Sequence, residues 1–460
     1  MKKGLFLMLF LFAGLVALAQ IPNNLTSADK VYGLSKFWQE VNYNFVYINR
    51  VNRAKWDSTY RQLITTVQQT KNDYEYYREL QKFCALLKDG HTNIFLPPAI
   101  DTLLMRTVFG PYRLFMWNID EKAIIACVNL SKKDEIPVGS EIIEVNGLST
   151  KEYINKQIAP YISSSTDYIL EDASIYLLLQ GFKGDTYRLK IKKPNDEIFS
   201  LNVTHARSSE TEVYPPAFNK EWKLFDFKWY DHQIAYLALN SFEDPKIDTL
   251  FINVLPELYK AKGLIIDLRN NGGGSTDIGT NILKYLTRDS LLYGPKQASR
   301  LHIPAYKAWG QYVKATDTIN NAENKKKYLS FHDIYFYNFD YAPDTMRIKA
   351  GRIVVPTVIL TSNNTGSAAE DFLIYADNQK HMIKMGEKTY GSTGQPLSFD
   401  LPGGGSARVC TKKDTYPDGR EFVGFGIKPD IEVKQTLNDF IHNKDRGLDR
   451  AIEYLNGKMK

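Results

Sequence analysis

The sequence predicts an α/β fold for the C-terminal half of this 460-residue chain, preceded by a helical segment and a β-rich insert. Two largely apolar runs, residues 263–269 and 354–362, are typical of strands buried on both faces of a mostly parallel sheet. Amphipathic helical patterns follow them, over residues 278–286 and 368–377. This alternation of strand and helix predicts a parallel sheet covered by helices.

Residues 20–97 form the predicted helical segment. Apolar residues recur at helical spacing over residues 28–48 and 56–67, and a third helix is expected over residues 73–87. Asn72 and Glu75 are placed as the N-cap of this third helix and its N3 partner. The helix should end near Gly90, and the proline pair at residues 97–98 closes the segment.

Residues 98–205 change in character to short β-type runs. The stretch 136–147 resembles the strand and turn of PDZ domains, with Ser140 where an aspartate is usual, and it ends in the tight-turn pair Asn146–Gly147. An ordinary β-hairpin is the alternative interpretation. A PDZ-like domain would hold an extended peptide as an added strand. Residues 206–218 are expected to be a linker, so that residues 206–460 contain the α/β core, within which residues 300–350 form a polar and aromatic insertion interpreted as a solvated face or lid.

The first nineteen residues predict a secretory signal peptide. Lys2 and Lys3 precede an apolar run over residues 5–19, and the small-x-small pattern at residues 17–19 makes Gln20 the expected mature N-terminus. An uncleaved anchor is the alternative. No later run reaches the roughly 20 apolar residues of a spanning helix, so we expect an exported protein, periplasmic or extracellular, without a stable membrane span in the mature chain.

Composition and motif spacing exclude several classes of protein. A net charge of +6 over 460 residues is too weak to indicate nucleic-acid binding. The 3 cysteines include no CxxC pair, and buried unpaired thiols are favoured over a single disulfide. No pair of histidines has the spacing of a metal site, and neither glycine-rich nucleotide motif is complete. The sequence therefore predicts no metal and no cofactor.

Ser367 is the candidate nucleophile. It follows a predicted strand and a glycine-containing turn and opens a helix, where free N–H groups stabilise negative charge. A plain N-cap serine is the alternative. The glycine loop 272–274 can supply one N–H of an oxyanion hole, with the Ala368 N–H as the second donor. Among the 7 histidines, only His91 lies at a helix-to-loop junction within a compact polar motif, residues 89–92.

Four motifs together resemble the C-terminal processing (tail-specific) peptidases and tricorn core proteases. They occur in the order of that family, and the PDZ-like stretch falls where the family inserts such a domain; the motifs are Asp267-Leu-Arg-Asn-Asn-Gly-Gly-Gly274, Thr365-Gly-Ser-Ala-Ala-Glu-Asp-Phe372, Gly386-Glu-Lys-Thr-Tyr-Gly391 and Gly426-Ile-Lys-Pro-Asp-Ile-Glu-Val433. The resemblance implies a serine endopeptidase with a crotonase-like core. It implies that Ser367 is the nucleophile and that Gly273 and Ala368 donate to the oxyanion.

One departure from the family decides which base the resemblance implies. The processing branch uses a Ser–Lys dyad, and Ser392 stands in the position of that lysine. The tricorn-like branch lacks the lysine and uses a histidine, supported by a serine and a glutamate. His91 and Glu421 match the histidine and the glutamate, whereas Gly90 replaces the serine that precedes the histidine.

Asp89, Thr92 or Ser392 are left as possible supports for the imidazole. The resemblance thus implies hydrolysis of peptide bonds in peptides or unfolded protein segments, with His91 as base and activity lost below a pH near 6.5. A catalytically inactive binding module of the same fold, for peptides or apolar ligands, is the alternative.

Overall fold

The structure, a computed structural model, describes residues 21–219, 221–345, 347–348 and 351–459. The predicted signal peptide at residues 1–19 lies outside these residues. Within the described ranges, no helix combines the length and the apolar character that crossing a membrane requires.

A six-stranded sheet forms the centre of the C-terminal part. Its strand order is β13-β14-β15-β20-β21-β25, in which only the β13–β14 pair is antiparallel. The strands are β13 (Phe225–Tyr230), β14 (Ile234–Leu239), β15 (Gly263–Asp267), β20 (Thr357–Thr361), β21 (Met382–Gly386) and β25 (Ile431–Glu432). All residues of β14, β15 and β20 are buried, as predicted for the two apolar runs.

Helices cover both faces of this sheet. On one face they share a hydrophobic cluster with the N-terminal segment, and on the other face α13 packs against β15, β20 and β21. The helices of this part are α7 (Lys246–Leu258), α8 (Thr276–Leu286), α9 (Pro304–Gly310), α10 (Ala322–Phe331), α11 (Ala368–Ala376), α12 (Leu437–Ile441) and α13 (Arg446–Lys458). The remaining strands are β16 (Leu291–Leu292), β17 (Lys296–Arg300), β18 (Phe336–Asn338), β19 (Asp344–Thr345), β22 (Pro396–Asp400), β23 (Ser406–Cys410) and β24 (Lys412–Thr415).

The N-terminal segment consists of α1 (Ser27–Asn44), α2 (Arg53–Thr66), α3 (Asp73–Ala85) and strand β1 (Asn93–Phe95). The Asn72 side chain caps α3 by accepting from the Glu75 N–H at 2.9 Å, as predicted. Trp56 and Phe83 stack with ring centroids 3.8 Å apart, inside the same hydrophobic cluster as Phe372 of the central part. Since β1 also pairs with β23, this segment is built into the core.

The insert has its own hydrophobic core and a sheet in the order β11-β10-β7-β6-β12. Asn146 and Gly147 both have positive φ, 52° and 83°, between paired Val145 and Leu148, which is the predicted tight turn. Part of the expected linker is a strand, because Val213 and Tyr214 pair with the sheet. The elements are α4 (Pro98–Asp101), β2 (Leu104–Met105), β3 (Val108–Phe109), β4 (Tyr112–Arg113), β5 (Phe115–Ile119), β6 (Lys122–Asn129), β7 (Glu141–Val145), β8 (Leu148–Ser149), α5 (Thr150–Tyr153), α6 (Asp167–Tyr176), β9 (Gly181–Phe182), β10 (Thr186–Lys192), β11 (Ile198–Thr204) and β12 (Val213–Tyr214).

Candidate active site

Ser367 lies in the turn between β20 and α11, directly before the helix. Its backbone has φ 53° and ψ −122°, whereas the N-cap residues of α1, α3 and α7 are extended or right-handed. A serine with positive φ is strained, and such strain is concentrated at functional sites. The geometry is therefore that of a sharp strand-to-helix turn, a type of turn that can expose a serine hydroxyl. The residue is half-buried.

The glycine loop lies against this turn. A Cβ atom at Gly273 would stand 2.6 Å from the Cβ of Ser367 and 2.9 Å from the Ala368 nitrogen. Only glycine allows this approach, and Gly273 also has a φ of +109°. The Ala368 N–H is in the first turn of α11 and has no intrahelical acceptor.

The N–H of Gly273 is engaged differently from the sequence-based expectation. It donates to Oδ1 of Asn271 at 2.9 Å, while the Asn271 amide group donates to the Leu239 carbonyl at 2.8 Å. In this conformation the Ala368 N–H is free to donate to an oxyanion. The Gly273 N–H can do so only after its hydrogen bond to Asn271 breaks.

His91 and Ser392 are joined by a short hydrogen bond. Nδ1 of His91 lies 2.7 Å from Oγ of Ser392, although the two residues are 301 positions apart. The other ring nitrogen, Nε2, has no hydrogen bond to any residue that the structure describes. Ser392 is fully buried, in the position of the family's dyad lysine. Of the three possible supports that the sequence left open, Ser392 is the one whose side chain bonds to the imidazole.

The surroundings of His91 keep its imidazole neutral. Burial lowers the pKa of His91 to about 4, and the charges of Arg408 and Lys412 add to this effect. A neutral imidazole can accept a proton at physiological pH. The sequence-based expectation used the ordinary pKa, so the structure moves the expected acid limit of activity downward.

Asp89 and Thr92 fix the loop that carries His91. Thr92 Oγ1 donates to the Asp89 carboxylate at 2.6 Å and accepts from the Cys410 N–H at 3.0 Å. Burial raises the pKa of Asp89 to about 6. The insert also holds the loop that carries His91, because Ser165 Oγ accepts from the Gly90 N–H at 2.9 Å. These residues hold the main chain around His91, and their side chains form no hydrogen bond to its ring.

Glu421 forms no hydrogen bond to His91 among the described residues. Its half-exposed carboxylate pairs with Arg50 at 2.9 Å and with Lys413. These two cations, Lys413 first, lower the pKa of Glu421. The role of Glu421 in orienting the base stays a prediction.

Glu370 is a polar residue of the site to which sequence analysis gave no role. It is fully buried, and its carboxylate accepts hydrogen bonds from both Ser367 and Ser392. The Ser-x-x-Glu spacing of a capping box was a signal for the first of these bonds.

Among the described residues, no cluster of three or more acidic, histidine or cysteine side chains is arranged to hold a metal ion. All three cysteines are buried and unpaired.

Comparison with known proteins gives concordant results. Residues 233–433 match the model of peptidase family S41. The carboxyl-terminal-processing protease of Picosynechococcus is 24% identical over 372 residues, which cover 78% of this chain and 73% of that protein. The carboxy-terminal processing protease CtpA of Bacillus subtilis is 22% identical over 313 residues, 67% of this chain and 52% of that one.

Solved structures share the fold over nearly the whole chain. Mature CPAF complexed with lactacystin superposes with a TM-score of 0.63 at 15% identity, covering 94% of this chain and 98% of that chain. A CPAF mutant superposes with a TM-score of 0.65 at the same identity, covering 94% and 97%. At this level of identity the likeness concerns the fold alone.

Proposed function

The chain belongs to the C-terminal processing peptidases of family S41, and from this premise we propose that Ser367 is its nucleophile and His91 its general base. Ser367 Oγ attacks the scissile carbonyl while Nε2 of His91 takes its proton. The C–N bond then breaks, the proton passes to the leaving amine, and water hydrolyses the resulting ester by the same path in reverse.

The hydrogen bond between His91 and Ser392 carries this proposal. When Nδ1–H donates to Ser392 Oγ, the lone pair of the neutral imidazole is on Nε2, the nitrogen without another partner among the described residues. This is the tautomer that a base needs. Ser392 thereby takes the orienting role, in the position where the dyad branch has its lysine.

The oxyanion is held by the Ala368 N–H, joined by Gly273 once the latter exchanges its bond with Asn271. Gly273 supports this assignment through its close approach to Ser367 and Ala368, which any side chain would prevent. Each donor of this kind contributes roughly 3 kcal/mol to stabilisation of the transition state.

The substrates are peptides or unfolded protein segments outside the cytoplasm. The predicted signal peptide at residues 1–19 directs export of the enzyme to that compartment. The insert acts as a PDZ-like domain, and an extended peptide adds to the edge of β5. This strand pairs with β6 on one side and has α6 packed against it. The supporting observations are the tight turn at Asn146–Gly147 and this juxtaposition of strand and helix.

Labelling with a fluorophosphonate probe tests the assignment. We expect covalent modification at Ser367 that is absent in Ser367→Ala and at least about 100-fold slower in His91→Ala. His442→Ala is the matched control, because His442 is exposed on the surface and bonds only to the Asn438 carbonyl. Full labelling of His91→Ala would refute the base and leave the nucleophile, whereas a wild-type protein that is never labelled would favour the binding-module alternative.

A further inference from the structure

One buried carboxylate connects the two halves of the site. Oε2 of Glu370 accepts from the Ser367 N–H at 3.1 Å and from the Ser392 N–H at 3.3 Å. Its other oxygen, Oε1, accepts from the Gly391 N–H at 2.8 Å and from the Thr389 hydroxyl. Three of the four partners are main-chain N–H groups, which can only donate, and the fourth is a hydroxyl, which can donate or accept.

The surroundings of Glu370 hold no opposite charge. No cation among the described residues forms an ion pair with it, and the titratable side chains that face it are Tyr168, Tyr390 and Tyr416. Burial is the first cause that raises the pKa of each tyrosine, so all three are neutral. Glu370, in the first turn of α11, is therefore held by its four hydrogen-bond partners and by no ion pair among the described residues.

We propose that Glu370 is a positioning residue whose buried carboxyl group holds the main chain of Ser367 and that of Ser392 on one oxygen atom, Oε2, and so fixes the position of the nucleophile relative to the hydroxyl that orients His91. This inference rests on the proposed function. It adds to that function the group that holds Ser367 and the hydrogen-bonded pair of Ser392 and His91 in fixed relative positions.

The hydrogen bonds of Glu370 are compatible with the neutral acid. Burial raises the pKa of Glu370 to about 8 even though its four partners lower it, so the carboxyl group is mostly protonated at pH 7. In that form Oε1–H donates to the Thr389 hydroxyl, which can accept as well as donate, and Oε2 still accepts from the N–H groups of Ser367 and Ser392. Burial of a carboxyl group is costlier for folding than burial of an apolar side chain, which favours a role in the site over a role in stability.

A double-mutant cycle tests the coupling. The rate of labelling by the fluorophosphonate probe is measured for the full chain as wild type, Glu370→Gln, Ser392→Ala and the double variant. Glu323→Gln is the matched control, since Glu323 is exposed in the first turn of α10. We expect each single substitution to slow labelling at least tenfold, and the double variant to be no more than about threefold slower than the slower single variant, because both act through the orientation of His91.

Effects that multiply, or a rate for Glu370→Gln equal to wild type, would overturn the proposal. If Glu370→Gln gives no cooperative thermal transition, Glu370→Asp replaces it, because it keeps the carboxyl group and shortens its reach to Ser392. The ¹⁵N signals of the His91 ring give a readout that does not require activity. They should shift in Glu370→Gln as they do in Ser392→Ala, and an unchanged spectrum would refute the inference even if the wild-type protein is never labelled.

Discussion

Lowering the pH from about 7 to about 5 should change the reactivity of Ser367 very little, because burial and two cations hold the pKa of His91 at about 4. With that pKa, about a tenth of the imidazole is protonated at pH 5. With the ordinary value of 6.5, about 97% would be protonated at pH 5 and the rate would fall roughly 25-fold between pH 7 and pH 5. The rate of labelling at pH 5, relative to that at pH 7, therefore distinguishes a His91 pKa of about 4 from one of 6.5.

The same shift affects stability, with a sign that follows from linkage. Above pH 6.5 the imidazole is neutral in both the folded and the unfolded chain. Between pH 6.5 and about 4 the unfolded chain binds the proton more readily, so the free energy of unfolding falls as the pH falls. The difference corresponds to roughly 3 kcal/mol. His91→Gln should remove this part of the acid destabilisation.

The assay is the second-order rate of fluorophosphonate labelling between pH 4 and pH 8, together with urea unfolding at pH 7 and pH 4.5. His442→Gln is the control for both, because His442 is exposed. A labelling midpoint near pH 6.5 would refute the buried, neutral imidazole. So would equal loss of stability at low pH in His91→Gln and in the wild-type protein.

Two further predictions concern backbone and core. Gly273→Ala should slow labelling at least about 100-fold, because the new Cβ would lie 2.6 Å from the Cβ of the nucleophile, whereas Gly272→Ala meets nothing within 4 Å and should stay within about threefold. Arg269→Met should lower the free energy of unfolding by about 3–5 kcal/mol, because it leaves the buried Asp267 without its cation. Arg420→Met, which removes exposed ion pairs, should cost under about 1 kcal/mol in urea unfolding; equal losses would contradict the argument.

The parts of the fold that the sequence predicted well are those set by local pattern. The buried strands β15 and β20, the helices after them and the turn at Asn146–Gly147 depend on residues adjacent in the chain. The hydrogen bond from His91 to Ser392 does not, because no local pattern indicates which of seven histidines meets a serine 301 positions away.

Two polar groups of the expected site have partners that the motifs did not indicate. Glu421 has the motif position expected of an orienting glutamate, but its carboxylate pairs with Arg50 of the N-terminal segment and with Lys413 of the neighbouring strand β24. Gly273 has the expected close approach, but the side chain of Asn271 takes its N–H. In both cases a competing partner decides which hydrogen bond forms, and motif spacing carries no information about competitors.

Replacing a dyad lysine with Ser392 has a consequence for how the site is assembled. A lysine at position 392 would belong to the same part of the chain as Ser367, whereas His91 comes from the N-terminal segment. That segment is held to the central part by the pairing of β1 with β23 and to the insert by the bond from the Gly90 N–H to Ser165. Three parts of the chain must therefore dock before nucleophile and base can meet. Destabilisation of either interface should lower the labelling rate before it unfolds the central sheet.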